Sequence, residues 1–286
     1  MTPFGARLAT ARAEHGPLCV GIDPHPGLLS AWGLPDDTDG LRRFALTVME
    51  AVGGRVAAVK PQSALFERHG SAGVAVLEEV VAAGRDTGTL VVVDAKRGDI
   101  GSTMQAYAEA YLREGSPLAG DALTVSPYLG FGSLEPAVRV AAENGRGLFV
   151  LALTSNPEGA QVQHARDEEG VAVATRIAAQ AAALNAAELA VSPHAALGSV
   201  GLVVGATIGD AAERLGLDLA AVRGPLLAPG VGAQGAGPAE LRAVFGAARG
   251  AVLASSSRGV LVAGPQVTAL RTAAREAADE AARALA

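Results

Sequence analysis

A chain of 286 residues, half of them hydrophobic and 18% charged, carries enough apolar material for a large core, which excludes a disordered or fibrous polypeptide. Aromatic residues make up only 3%, so the core has to be built mainly from small side chains. A net charge of −6 argues against a nucleic-acid polymer as partner, while leaving room for a local site for a small anion.

The segment from Met1 to Gly16 mixes Arg7, Arg12 and Glu14 with apolar residues and lacks the apolar core of a secretion signal. No apolar run reaches the length of a bilayer span, so a cytoplasmic protein with no membrane partner is expected. Short β-branched runs predict strands at 18–22, 56–59, 90–93, 122–125, 148–151, 201–204, 226–228 and 251–253. Helical spacing separates them, as at 72–85, where Val74, Leu77, Val80 and Val81 share a face, and at 266–285, where Val267 and Leu270 precede an alanine stripe. The alanine-rich stretch 178–191, interrupted by Gln180, Asn185 and Glu188, predicts an amphipathic helix.

Alternating strands and helices imply parallel strands with crossover connections, and eight such units predict an α/β fold, a single (β/α)8 TIM barrel over residues 1–286. A doubly wound open sheet is the competing architecture, but the turn after the first strand, Gly21-Ile22-Asp23-Pro24-His25-Pro26, lacks its glycine-rich fingerprint. The longest polar excursion, residues 155–170, follows the fifth strand and reads either as a lid or as a plain surface loop.

In a barrel the strand ends converge on one face, and here those ends are polar. The sharpest case is Asp94-Ala95-Lys96-Arg97-Gly98-Asp99-Ile100-Gly101-Ser102-Thr103 after the third strand, where strand alternation turns Asp94 and Lys96 to the same face. Lys60 follows the second strand and Asp23 the first. Carboxylates beside a lysine favour its charged form, which makes it a poor Schiff-base nucleophile but a good fixed cation and proton donor to a very basic centre. After strands seven and eight, the run from Pro229 to Gly235, with Gln234, and the pair Arg258-Gly259 suit a phosphate.

Other chemistries find little support. Cys19, the single cysteine, lies in an apolar run and reads as a core thiol. The five histidines are scattered with no metal-ligand spacing; His25 near Asp23 reads as a turn residue. No Gly-x-Ser-x-Gly elbow occurs.

The pattern Asp94-x-Lys96-x-x-Asp99-Ile100-x-x-Thr103 resembles the signature of the orotidine 5′-phosphate decarboxylases. With Asp23, Lys60, the 229–234 run and Arg258-Gly259 in the same order, the resemblance spans nearly the whole chain. The wording is similar to the longer bacterial (type 2) branch, with Gly101 where the commoner branch has Pro. The resemblance implies conversion of orotidine 5′-monophosphate to uridine 5′-monophosphate and CO2, the last step of de novo UMP synthesis, with no metal and no organic cofactor. It implies that Lys96 stabilises and protonates a C6 carbanion, that Asp94 sits by the departing carboxylate, and that Lys60 contacts Asp94 and the ribose. Asp23 would bind a ribose hydroxyl, Ser155 the pyrimidine edge, and Pro229, Gln234, Arg258 and Gly259 the phosphate end. Ile100 would also bind substrate, and a homodimer with shared active sites is implied, Asp99 and Thr103 serving the partner's site. Two rivals remain at this stage. One is a magnesium-dependent sugar-phosphate decarboxylase of the same superfamily; the other is a non-catalytic nucleotide-binding barrel.

Overall fold

The computed structural model describes residues 1–231 and 235–286. Eight strands form it: β1 (Leu18–Ile22), β2 (Ala58–Pro61), β3 (Leu90–Arg97), β4 (Ala122–Val125), β5 (Gly147–Leu153), β6 (Val200–Val204), β7 (Leu226–Pro229) and β8 (Val252–Ser256). All pair in parallel and in chain order, and β1 closes the barrel on β8 through Leu18 opposite Ala254. This is the (β/α)8 barrel that the alternation of patterns predicts.

Two apolar layers follow from strand alternation. Outward residues such as Val20, Val59, Val93, Val150 and Leu226 pack under the helices. Inward residues, among them Cys19, Leu90, Val92, Phe149, Val203 and Leu253, fill the lower barrel together with Phe4 and Leu8 of the helix Phe4–His15. That helix plugs the end opposite the functional loops, and its Phe4 ring meets Phe149 edge-on at 5.9 Å. The plug is tightly fitted: a Cβ on Gly147 would lie 2.1 Å from the Phe4 ring, and one on Gly5 would lie 2.2 Å from the Leu197 carbonyl oxygen.

The helices depart from expectation in instructive ways. The one predicted at 72–85 runs Gly70–Thr87 and ends at Gly88, whose φ of 69° suits the left-handed cap. Its buried stripe is Gly73, Val76, Leu77, Val80, Val81 and Gly84; Val74 is only half-buried, because the glycines, silent in a hydrophobicity pattern, belong to the packed face. The alanine-rich helix begins earlier, Val173–Val191, and Asn185 is fully buried instead of marking a polar face. Its amide donates to the carbonyls of Val200 (2.7 Å) and Val222 (2.8 Å) and accepts from Val200 N–H (3.0 Å), so every bond it makes is to backbone at the start of β6 and before β7.

Candidate active site

Five strands end later than their apolar runs suggest, and three of them carry charged or hydroxyl side chains inward with them. β2 starts at Ala58, not at 56, and carries Lys60 and Pro61 within the strand; β3 continues through Asp94 to Arg97; β8 reaches Ser256. The polar residues read as following these strands are therefore partly inside them. Backbone pairing persists because inward charges near the barrel mouth neutralise one another.

Asp94 is the hub. Its Oδ2 accepts from Lys60 Nζ at 2.7 Å and from Gln62 Nε2 at 3.1 Å. Its Oδ1 accepts from Lys96 Nζ at 2.6 Å and from Thr124 Oγ1 at 2.9 Å. Thr124 Oγ1 also accepts the backbone N–H of Lys96 at 2.9 Å, which ties β4 to the residue that carries the ammonium. Lys96 itself has φ 48°, a left-handed conformation that costs a non-glycine residue roughly 1–3 kcal/mol. The register of β3 against β4 shifts between Val93 and Arg97, so an irregular strand end places Lys96 over Asp94.

Burial is the largest influence on Asp94 and opposes its ionisation, but the ammonium groups of Lys60 and Lys96 outweigh it and hold the carboxyl down at about 2. Burial likewise opposes the charge on Lys60, yet Asp94 and Asp23 together push that amine above its ordinary value. The cluster is thus an ionised cation–anion–cation array. Lys60 and Asp94 are buried, whereas the Lys96 side chain is 45% exposed and opens to the cavity.

That cavity, of about 640 Å³, sits at the carboxyl ends of the strands. Asp23, Lys60, Asp94, Lys96, Ser155, Pro229, Arg258 and Gly259 all line it. Asp23 Oδ1 is buried and has no hydrogen-bond partner among the described residues, so it offers an acceptor to a ligand hydroxyl. Gly21 makes room there: a Cβ would fall 1.9 Å from Ser257 Oγ. The fold thus places a carboxylate acceptor, an ammonium held by a carboxylate, and a guanidinium around one nucleotide-sized space.

The match to known proteins is extensive. Residues 16–273 match the model of the family described as orotidine 5'-phosphate decarboxylase / HUMPS. The chain belongs to that family. An orotidine 5'-phosphate decarboxylase of Streptomyces coelicolor is 62% identical over 274 residues, covering 96% of this chain and 95% of the relative. A crystal structure from Streptomyces avermitilis, assigned to the same enzyme, superposes with a TM-score of 0.93 at 61% identity, covering 100% of this chain and 96% of that one. The OMP decarboxylase of Leishmania donovani gives a TM-score of 0.74 at 32% identity, covering 100% and 99%.

Not every residue that the family resemblance marks lies in this cavity. Asp99, Ile100 and Thr103 do not line it. Asp99 Oδ1 accepts the N–H of Ile100 at 2.7 Å; Ile100 is 62% exposed, and Thr103 faces solvent on the first turn of the helix Gly101–Leu112. Gln234 lies outside the described residues. His25 is exposed and caps the helix Pro26–Ala31 through its carbonyl, as befits a turn residue. Cys19 lies fully buried among the inward residues of the lower barrel, where burial pushes its thiol up to about 12.

Residues 155–170 form a largely exposed loop tied to the body of the protein at a few points. Gln163 accepts the N–H of Thr154 and donates to its hydroxyl, both at 2.8 Å, while Asp167 pairs with Arg176 at 2.5 Å. Only the start of this segment, Ser155 and Asn156, reaches the cavity. Two of the residues bonded to Asp94, Thr124 and Gln62, carried no advance signal strong enough to single them out. Strand alternation from the inward Ala122 turns Thr124 inward, but a threonine inside a strand is ordinary, and only the contact with Asp94 gives it meaning.

Proposed function

We propose that this chain converts orotidine 5′-monophosphate to uridine 5′-monophosphate and CO2 through a carbanion at C6, with Lys96 as the proton donor. The observation that carries this reading is the Asp94 carboxylate held between two ammonium groups, Lys60 at 2.7 Å and Lys96 at 2.6 Å, in a cavity that also contains Arg258. Arg258 and Gly259 receive the phosphate, Asp23 a ribose hydroxyl, and Ser155 the pyrimidine edge, which leaves the C6 carboxylate next to Asp94 and Lys96. The bond from C6 to the carboxylate breaks, its electron pair stays on C6, and CO2 departs. The ammonium of Lys96 stabilises that charge through space and then gives C6 its proton. Lys96 recovers a proton from solvent, to which its side chain is partly open.

The remote phosphate supplies binding energy that orients the base over Lys96. Asp94 holds and aims the Lys96 ammonium, and Lys60 helps keep Asp94 ionised. The four donors on Asp94 occupy both of its oxygens, which favours this chemistry over a magnesium-dependent sugar-phosphate reaction at the same strand. Asp99 and Thr103 serve the neighbouring subunit of a homodimer. The exposure of the adjoining Ile100 (62%) supports such a covered face. A single barrel unit acting in the cytoplasm completes the reading.

The test is the loss of orotidine-monophosphate absorbance with purified protein in excess EDTA. Turnover undiminished by chelation is expected; a metal requirement would decide for the rival. Lys96→Ala is expected to lower kcat by at least about 10³-fold while 6-substituted uridine nucleotides still bind, and near-normal turnover in that variant removes Lys96 from the mechanism.

A further inference from the structure

The residue after Lys96 is occupied in a different way from anything in the cavity. The Arg97 side chain lies among the surrounding helices instead of lining the cavity, and it is only 25% exposed. Its guanidinium donates to Tyr111 Oη at 3.0 Å and pairs with Glu67. The same guanidinium lies over the rings of Tyr107 and Tyr111, at 5.4 and 5.5 Å from their centroids. Glu67 in turn accepts from Ser63 Oγ. Ser63 and Glu67 bound the short helix Ser63–Glu67, three residues beyond Lys60, while Tyr107 and Tyr111 belong to the helix Gly101–Leu112 that follows Asp99. Arg97 therefore fastens the strand end that bears Lys96 to the segments just beyond Lys60 and just beyond Asp99.

This matters because Lys96 is the strained residue of the site. A left-handed lysine persists only if its neighbours over-determine it. On the inner side, Thr124 holds the Lys96 N–H. On the far side, the Arg97 carbonyl accepts Ser126 N–H at 2.8 Å, and the Arg97 side chain is anchored in the helix layer. A surface arginine would not need an acid, two tyrosine rings and a hydroxyl to hold it.

We propose that Arg97 is a positioning residue for the decarboxylation: its clamp on Glu67, Tyr107 and Tyr111 fixes the backbone of Lys96 so that Nζ stays on Asp94 and faces C6. This rests on the reading of Lys96 as the proton donor. Arg97 touches neither the cavity nor the substrate, so its loss acts on the chemical step and not on ligand binding. A displacement on the order of 1 Å at a reacting group costs about 10²-fold in rate.

The experiment compares Arg97→Met, Arg97→Lys, Glu67→Gln and Tyr111→Phe with the unaltered protein, measuring kcat and KM for orotidine 5′-monophosphate, the dissociation constant of uridine 5′-monophosphate, and Tm. Arg97→Met is expected to lower kcat by about 10- to 100-fold, with uridine 5′-monophosphate binding held within about twofold. Arg97→Lys, which keeps the charge on Glu67 but loses the planar fork, is expected to recover part of that loss. Adding Glu67→Gln to Arg97→Met is expected to cost little more, since both cut one contact. A lower Tm with unchanged kcat, or a parallel loss of turnover and nucleotide binding, overturns the proposal. Should Arg97→Met fail to fold, Glu67→Gln and Tyr111→Phe decide in its place, and wild-type kcat in both overturns it. Turnover by the unaltered protein and its loss in Lys96→Ala test the functional reading separately, so the two failures are distinguishable.

Discussion

The cavity holds several charged residues, and their environments divide the work among them. Asp94 is the anion that both lysines share, and its depressed value makes a statement about stability. A carboxyl held at about 2 in the folded chain, against 3.8 for the free group, stabilises the fold fully above pH about 4. That contribution is lost as pH falls from there toward 2. Acid unfolding followed by circular dichroism is expected to show a steeper loss in this window than for Asp94→Asn, and identical curves would count against the ion cluster. Lys60 works with the opposite sign. Its raised value stabilises the fold below the ordinary lysine range and ceases to do so only in strong alkali. Arg258 is exposed at the cavity rim and is no part of the packed core. Arg258→Ala is therefore expected to weaken a nucleoside 5′-monophosphate by about 10-fold or more, leave the unphosphorylated nucleoside unaffected, and keep Tm unchanged, all readable by calorimetry. Cys19, buried and pushed up to about 12, should not react with a thiol reagent until the chain unfolds.

At the scale of elements, the apolar runs located all eight strands, and the largest differences lie at their upper ends. A hydrophobicity pattern stops at the first charge, so Lys60, Asp94 and Lys96 read as following their strands. In the barrel Lys60 and Asp94 still pair, and β3 runs on past Lys96 to Arg97, because the strands' inward side at the mouth is a shared polar site. The lower end shows the complementary case. The helix Phe4–His15 carries no strong periodic signal of its own, yet it closes the barrel through Phe4 and Leu8. Phe4→Ala is expected to cost roughly 3–5 kcal/mol by denaturant unfolding, and a loss below about 1 kcal/mol would mean that the plug contributes little. Gly147→Ala should be damaging as well, since its Cβ would enter the Phe4 ring.

At the scale of the molecule, one barrel does not present every residue that the family resemblance marks. Asp99 and Thr103 stand outside the cavity of their own chain, beside the exposed apolar side chain of Ile100. A dimer with shared sites makes a sharp prediction. Lys96→Ala and Asp99→Ala, each inactive alone, are expected to recover activity when unfolded together and refolded as a mixture. Each hybrid has one intact site of two, so statistical pairing returns roughly a quarter of the normal rate. No recovery, with size-exclusion chromatography showing mixed dimers, would place Asp99 in its own subunit's site.

The sequence by itself determined the barrel, because eight β-branched runs separated by helical spacing admit few other arrangements, and it located the charge-bearing strand ends from alternation alone. The family was also legible there, in the motif from Asp94 to Thr103 with Asp23, Lys60 and Arg258 in order. What only the tertiary structure decided is who meets whom. Thr124, an ordinary strand residue, becomes a partner of Asp94; Asn185, an apparent interruption, becomes a buried anchor; Arg97, one charge among several, turns into the helix layer while Lys96 turns into the cavity. These contacts join residues distant in sequence, and Lys96 takes a left-handed backbone that no local preference of lysine would supply.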